Sequence, residues 1–597
     1  MKFWLFILLF FPALIYAQQN AESDTTGTGK IIVYNSDYTV LEKKDGGMIK
    51  YLYGNVKVYH DSTYFFADTA ILNDLENYLF AYGNVTVLQH DTIKMFCDTL
   101  FYKGDSMKAE LRGKVLLVNG NKKLKTERLY YDLDKKIAYY NDKALLVQDK
   151  SKLKSLAGIY YINDNLVKFK HKVSVEDSAF VLHTDSLLFH TTDKKAVFIA
   201  PVVIIKDSTV IYSEGGFYDM KNNNALFEKN PFYKKGDAIA KAEKMYYIDS
   251  LNQYLLVQNA EYKDDEIFAK ADTIIHKIKD KISILSGNAY LKTKDKTVRS
   301  QKIIYHHDDK SIILEGNGFV DDNGKIISAV YMDYSDKSGK GHVRGNVFYH
   351  DTISRIIIKG YEMKIDEKED FMTCYGDSTE KLTIVFYENN DSTYITGDTL
   401  LSERKIIDGD TLKYFKIFHN VKIYNKDYQS IADSLVYNSR DSVYILYKNP
   451  VLWSDSTQIT GDTIDIYMKD NSIDYIYARN NAMIVSMVAP ELFNQIKGNR
   501  IKAYFVKDSL DRMQVNGNSE VIYFMQDDNK ALLGTIKTQC SKIDFTFKNN
   551  KIKDIKFYGD PQSTLIPIKK EILNPHRLQG FKWLDDKRPK DKSFIYK

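Results

Sequence analysis

The chain has 597 residues, 44% hydrophobic and 27% charged, with a formal net charge of +5. That balance allows a folded chain with a buried core, and so small a surplus does not predict nucleic-acid binding, which needs a concentrated basic face. With 45 Tyr, 31 Phe and only 9 Pro, the composition favours strands.

The first element is an export signal. Met1-Lys2 is a short basic start, and the apolar run from Phe3 to Tyr16 has signal-peptide length, too short for a membrane span. Cleavage is expected after Ala17, although Ile15 departs from the small residue usual two positions earlier. No Cys follows, so no lipid anchor is expected, and no later apolar run is long enough to cross a bilayer. The mature chain is expected to be exported and soluble. Its three cysteines, Cys97, Cys374 and Cys540, are far apart and imply no disulfide framework.

A repeat then takes over. Gly54-Asn55-Val56 returns as Gly83-Asn84-Val85, 29 residues on, and again as Gly287-Asn288-Ala289 and Gly345-Asn346-Val347. Between these lie a small residue, an acid and a hydroxyl: Ala67-Asp68-Thr69, Cys97-Asp98-Thr99, Ala271-Asp272-Thr273. Cys97 stands at the small position and reads as a small buried residue. Within one unit, two apolar runs of strand length, 78–88 and 92–102, are broken by Gln89-His90-Asp91 and by Lys103-Gly104-Asp105-Ser106. Short polar breaks between such runs predict antiparallel hairpins. Asp followed by Ser or Thr recurs at the break, as in Asp61-Ser62, Asp91-Thr92 and Asp351-Thr352, where an Asp carboxylate can close a turn on a backbone N–H two residues on. The Gly of each unit lies inside a strand, which predicts a bulge, a bend or a close backbone approach. Val85 and Val87 share one face of their strand, Asn84 and Thr86 the other.

The marker at the acidic position steps regularly through Asp68, Asp98, Glu127, Gly158, Asp185, Glu214, Glu243, Asp272 and Gln301, then more widely through Asp398, Asp433, Asp462 and Asn499. The expected organisation is a signal over 1–17, a regular array over 18–375, a less regular β extension over 376–560 and a tail over 561–597. The basic stretch Lys587-Arg588-Pro589-Lys590-Asp591-Lys592 reads as a solvated terminus.

Few constellations carry chemistry. His60-Asp61-Ser62, His90-Asp91-Thr92 and His350-Asp351-Thr352 have the residue types of a nucleophile and its base, but they fall at the same break of different units and read as turns. His306-His307-Asp308-Asp309 has metal-ligand types, yet neighbours along a strand point to opposite faces. The acids at one place in each unit read as structural. No catalytic residue, metal ligand or cofactor is assigned, and no phosphate-binding G-x-x-x-x-G-K-[S/T] motif is present.

The export signal followed by units such as Tyr82-Gly83-Asn84-Val85-Thr86-Val87 and Ala67-Asp68-Thr69-Ala70-Ile71 resembles the OstA-like, LptA-type family of lipopolysaccharide-transport proteins. The likeness is good over 31–348 and weaker to 559; Asn494-Gln495-Ile496-Lys497-Gly498 and Asn449-Pro450-Val451-Leu452-Trp453 are similar to long members. The resemblance implies an all-β fold, an elongated antiparallel β-jellyroll or taco of repeated hairpins with a greasy groove. It implies a periplasmic bridge that holds lipopolysaccharide or lipid A by its acyl chains and stacks end to end through edge strands. The implied partners are an inner-membrane extraction complex and an outer-membrane insertion barrel.

Acyl chains gain about 0.8 kcal/mol for each CH₂ withdrawn from water, so they need a long trough, and a stack of hairpins supplies one. The lining candidates are Val56, Val58, Val85, Val87, Leu100, Tyr102, Val115 and Leu117. Two other readings stand beside this one. A structural or adhesive array without lipid predicts a filled interior, and a polysaccharide-active β-solenoid enzyme predicts parallel strands with clustered acids.

Overall fold

A computed structural model of the chain describes residues 29–595 except 45, 91, 178–179, 389–390, 408–409, 471, 507–508, 528, 530, 549–550 and 570–574. The expected signal over 1–17, and Asp91 of the predicted turn, lie outside the described residues. The chain divides after Lys229 into two compact units.

In the first unit the strands run out and back as predicted. Gly47–His60 pairs antiparallel with Thr63–Asn73, which pairs with Tyr78–Gln89, then Ile93–Lys103, then Lys108–Asn119. The turns are held in two ways. Asp351, in the second unit, accepts backbone N–H bonds from Ile353 at 2.9 Å and Ser354 at 2.8 Å, as the Asp-Ser/Thr pattern predicts. At Asp61-Ser62 both residues instead take left-handed φ values of 39° and 60°, and the Ser62 N–H donates to the Tyr59 hydroxyl at 3.1 Å.

Each long strand is creased once. The register slips between Tyr53 and Val56, between Phe66 and Thr69, between Tyr82 and Val85, and between Phe96 and Thr99. These slips line up from strand to strand, so they divide the sheet into two walls. Farther on the crease becomes a complete break: Ile137–Tyr140 pairs within one wall, Ala144–Gln148 within the other.

The Gly-Asn signature and the repeated acid are the two halves of that crease. Gly83 sits at φ +81°, and a Cβ there would lie 2.6 Å from the Asp68 carboxylate oxygen. The Asn84 amide donates to the same carboxylate at 2.8 Å. Only glycine combines the left-handed backbone with room for the acid. Asp37 with Asn55, at 2.8 Å, repeats the arrangement.

The second unit uses the same device. Creases fall between Ser286 and Ala289, Arg344 and Val347, Phe418 and Val421, and Asn516 and Ser519. Asp272–Asn288 and Asp398–Asn420 hold two of them at 3.3 and 3.1 Å, and Asp462–Asn481, at 3.2 Å, holds a further one between Arg479 and Ala482. The marker spacing widens late in the chain because the strands lengthen: Ser472–Ala489 and Ser509–Gln526 have 18 residues each, against 12 in Tyr78–Gln89.

The C-terminal residues do not all behave as a solvated tail. Gln562–Pro567 is a strand paired with Leu532–Lys548. Beyond it, Leu578, Phe581 and Trp583 pack on Met483, Val485, Phe493, Ile522 and Phe524. These partners lie on the outer face of the sheet, because Ala482 and Ile484, which follow the crease, alternate with Met483 and Val485 and take the inner one. Gln495 donates to the His576 carbonyl at 2.9 Å and accepts from the Leu578 N–H at 2.8 Å. Gln458 does the same for the Lys582 carbonyl and the Leu584 N–H, each at 2.8 Å. Of the basic stretch, Lys587 and Lys590 are exposed, but Arg588 donates to Gln429 at 2.7 Å. The tail is therefore a strap. Basic composition alone did not reveal it, because its anchors are apolar residues upstream of the charges.

Candidate functional site

Alternation from the crease places Val56, Val58, Val85, Val87, Val115 and Leu117 on the inner face of one wall, and Leu100 and Tyr102 on the inner face of the other. All eight are buried, none more than 2% exposed. The first unit thus brings the candidates together as one apolar layer whose side chains fill the space between the walls. Outer positions such as Tyr82, Phe96 and Phe101 are exposed.

The free ends of the walls meet opposite the crease along a polar seam. His60 Nδ1 lies 2.6 Å from the Tyr102 hydroxyl, and the Tyr131 hydroxyl donates to Gln89 at 2.6 Å. Asn119 donates to the Tyr160 hydroxyl at 3.1 Å, and Gln148 to the Thr191 carbonyl at 2.8 Å. His60 is 2% exposed, so its reading as a turn residue is corrected: only Asp61 and Ser62 form the turn. The missed signal was available. His60 continues the Val56, Val58 alternation, as Gln89 continues Val85, Val87 and Asn119 continues Val115, Leu117. Tyr102, Tyr131 and Tyr160 also recur every 29 residues.

In the second unit the two walls part. A cavity of about 160 Å³ lies between them. Its floor is apolar, formed among others by Ile312, Leu314, Val320, Met332, Val343 and Met372, and Gly341 contributes no side chain there. Its mouth is charged, with Lys296, Asp322, Lys325, Glu367 and Asp370. Lys296 is buried. Its ammonium contacts Asp336, lies 3.5 Å from Asp322 and stands 4.3 Å above the Tyr334 ring. The Tyr334 hydroxyl donates to Glu367 at 2.7 Å.

The remaining residues singled out by sequence take structural places. His350 Nε2 lies 2.7 Å from the Tyr387 hydroxyl. Asp308 pairs with Lys281 at 2.8 Å, and Asp309 accepts the Ser311 N–H at 3.0 Å. Burial pushes the Cys97 thiol up to about 12, in keeping with a small buried residue. His276, Ser283 and His307 form a chain, with His276 Nδ1 3.1 Å and His307 Nε2 2.9 Å from the Ser283 hydroxyl. Burial holds both imidazoles below their usual 6.5, and the neighbouring His307 adds to the effect on His276. The folded protein then binds protons more weakly here than the unfolded chain does. Stability is present above pH 6.5 and is lost as pH falls through the folded values. The melting temperature is expected to drop between pH 7 and pH 5, and to drop less in a His276→Gln/His307→Gln variant. An equal drop in both proteins would place the acid sensitivity elsewhere.

The family described as OstA-like protein matches residues 28–185 and 158–237. Residues 28–237 of the chain are thus similar to the OstA-like family. The OstA-like region contains all eight lining candidates, the four seam pairs and the Gly-Asn creases that carried the resemblance. No curated protein matches the chain. Among solved structures it is similar to LptH of Pseudomonas aeruginosa, the LptA-homologous periplasmic component of a lipopolysaccharide transport device. The identity is 14% over 24% of this chain and 96% of that one, with a TM-score of 0.19.

Proposed function

We propose that this is a non-enzymatic periplasmic protein that binds lipopolysaccharide by its lipid A acyl chains and serves as a transport bridge in outer-membrane assembly. The observation that supports it best is the polar seam over an apolar layer. Opposite the crease the walls are joined by side-chain hydrogen bonds such as Tyr131–Gln89, so they can part there without breaking a backbone ladder. Each seam bond is worth about 0.5–1.5 kcal/mol, and each acyl CH₂ taken up returns about 0.8 kcal/mol. A few carbons per rung therefore offset the opening. Val56, Val58, Val85, Val87, Leu100, Tyr102, Val115 and Leu117 would then line the chains.

The partners in this reading are an inner-membrane extraction complex, an outer-membrane insertion barrel and further copies of the protein. The strand Tyr38–Lys44 is exposed at all seven positions, and its only pairing among the described residues is with Gly47–His60. Such an edge can accept a strand from another chain.

The test uses the purified full-length chain and a fatty-acyl lipid with a diazirine in its tail, with adducts mapped by mass spectrometry. Adducts are expected on inner-face peptides, and Tyr131→Phe is expected to raise uptake roughly two- to tenfold by weakening one seam bond. Adducts confined to outer positions, or none, together with no co-purifying lipopolysaccharide, would reject the reading. The filled interior of the first unit favours the second reading, a structural or adhesive array without lipid, and that negative result would be the outcome it expects.

A further inference from the structure

We infer that the cavity between the walls of the second unit is a site for the end of one alkyl chain whose headgroup carries amines or hydroxyls rather than a bare phosphate. The inference rests on the lipid-binding reading above and narrows it to one place and one headgroup chemistry.

Size sets the tail. An apolar cavity of about 150 Å³ accommodates a benzene ring, so the 160 Å³ here holds roughly the last six carbons of a chain. It cannot hold the several chains of a whole lipid without the walls parting further. Affinity should rise about fourfold per CH₂ and level off once those carbons are placed.

Charge sets the head. A phosphate needs a cation or a cluster of N–H donors directed at it. The buried cation at this mouth, Lys296, is already committed to Asp336 and Asp322. Around it the mouth presents Asp322, Asp366, Glu367 and Asp370 against Lys296 and Lys325. The cations farther out face these same acids: Lys340 lies 3.7 Å from Asp366, and Arg404 3.9 Å from Asp370. Carboxylates accept hydrogen bonds and attract ammonium groups, so this rim complements sugar hydroxyls and amines and repels an anion. The seam of the first unit has no comparable set of acids. Its charged contacts are Lys122 on Asn165 and Lys194 on Asp149, each at 2.6 Å, and its other bonds, among His, Gln, Asn and Tyr side chains and backbone carbonyls, close the mouth.

The experiment titrates the full-length protein with dodecyltrimethylammonium, dodecyl maltoside and dodecyl phosphate below their micelle concentrations, in chelator-containing buffer, by calorimetry. The ammonium and maltoside probes are expected to bind about tenfold or more tighter than the phosphate. In Glu367→Lys/Asp370→Lys, both at exposed positions, the ammonium and phosphate probes should exchange rank. Circular dichroism of the variant checks that it folds. Phosphate binding as tightly as ammonium to the wild type would overturn the inference while leaving the lipid-binding reading in place. An unchanged order in a folded variant would likewise overturn it, because the head would then sit elsewhere. Failure of all three probes to bind would overturn the lipid-binding reading itself.

Discussion

Gly83→Ala is expected to destabilise the protein by about 2–5 kcal/mol, more than most single substitutions of its size. About 1–2 kcal/mol comes from placing a Cβ on a left-handed residue, here at φ +81°. The rest comes from overpacking, about 1–3 kcal/mol, because that Cβ would stand 2.6 Å from an Asp68 oxygen. Asp68→Ala alone removes an exposed hydrogen bond from Asn84 and should cost about 0.5–1.5 kcal/mol. In the double variant the overpacking disappears but the backbone strain remains. The two losses should therefore fail to add by at least about 1 kcal/mol. Denaturant unfolding of the four proteins measures this, and simple additivity would mean that the glycine is there for its backbone alone. The same logic applies at Gly287 beside Asp272, in the other unit.

The strap should yield the second large effect. Gln495 is fully buried and satisfies both the His576 carbonyl and the Leu578 N–H. Gln495→Ala leaves the buried Leu578 N–H without this acceptor, at about 1–3 kcal/mol, and removes the bond to the part-buried His576 carbonyl. Trp583→Ala removes a half-buried ring that lies 5.1 Å from Phe493; complete burial would make this about 3–5 kcal/mol, so about 2–3 kcal/mol is expected here. Either change should release the strap and expose Met483, Val485, Ile522 and Phe524, an apolar face that invites association. The readouts are a lowered unfolding midpoint, a rise in binding of an apolar dye and concentration-dependent sedimentation. A Gln495→Ala protein that melts normally and stays monomeric would show that the strap contributes little to holding the unit together.

The first effect traces back to what is legible in the chain; the strap does not, because its anchors lie far along the chain from the residues they meet. The 29-residue period, the antiparallel hairpins and the glycine inside each strand all follow from local chemistry: short polar breaks, β-branched runs and a backbone that only glycine tolerates. Face alternation follows too, since the period of a strand is two: it puts Val85 and Val87 on one face, and Val56 and Val58 on another such face. The same alternation puts His60 and Gln89 there, although polar side chains beside Asp-Ser and Asp-Thr look like part of the break.

What the sequence alone determined is therefore the rung: a creased strand, its turn and its apolar face. The tertiary structure decided how rungs meet across space. His60 finds Tyr102 42 residues away, a contact that depends on how far the sheet folds at each crease, and Gln495 finds Leu578 83 residues away, where the chain beyond the last strand returns over the outer face. The same angle decides whether the walls close on packed side chains, as around Val87 and Leu117, or leave the cavity beside Gly341. No local pattern encodes that spacing, because it is the sum of side-chain volumes contributed by strands from both walls.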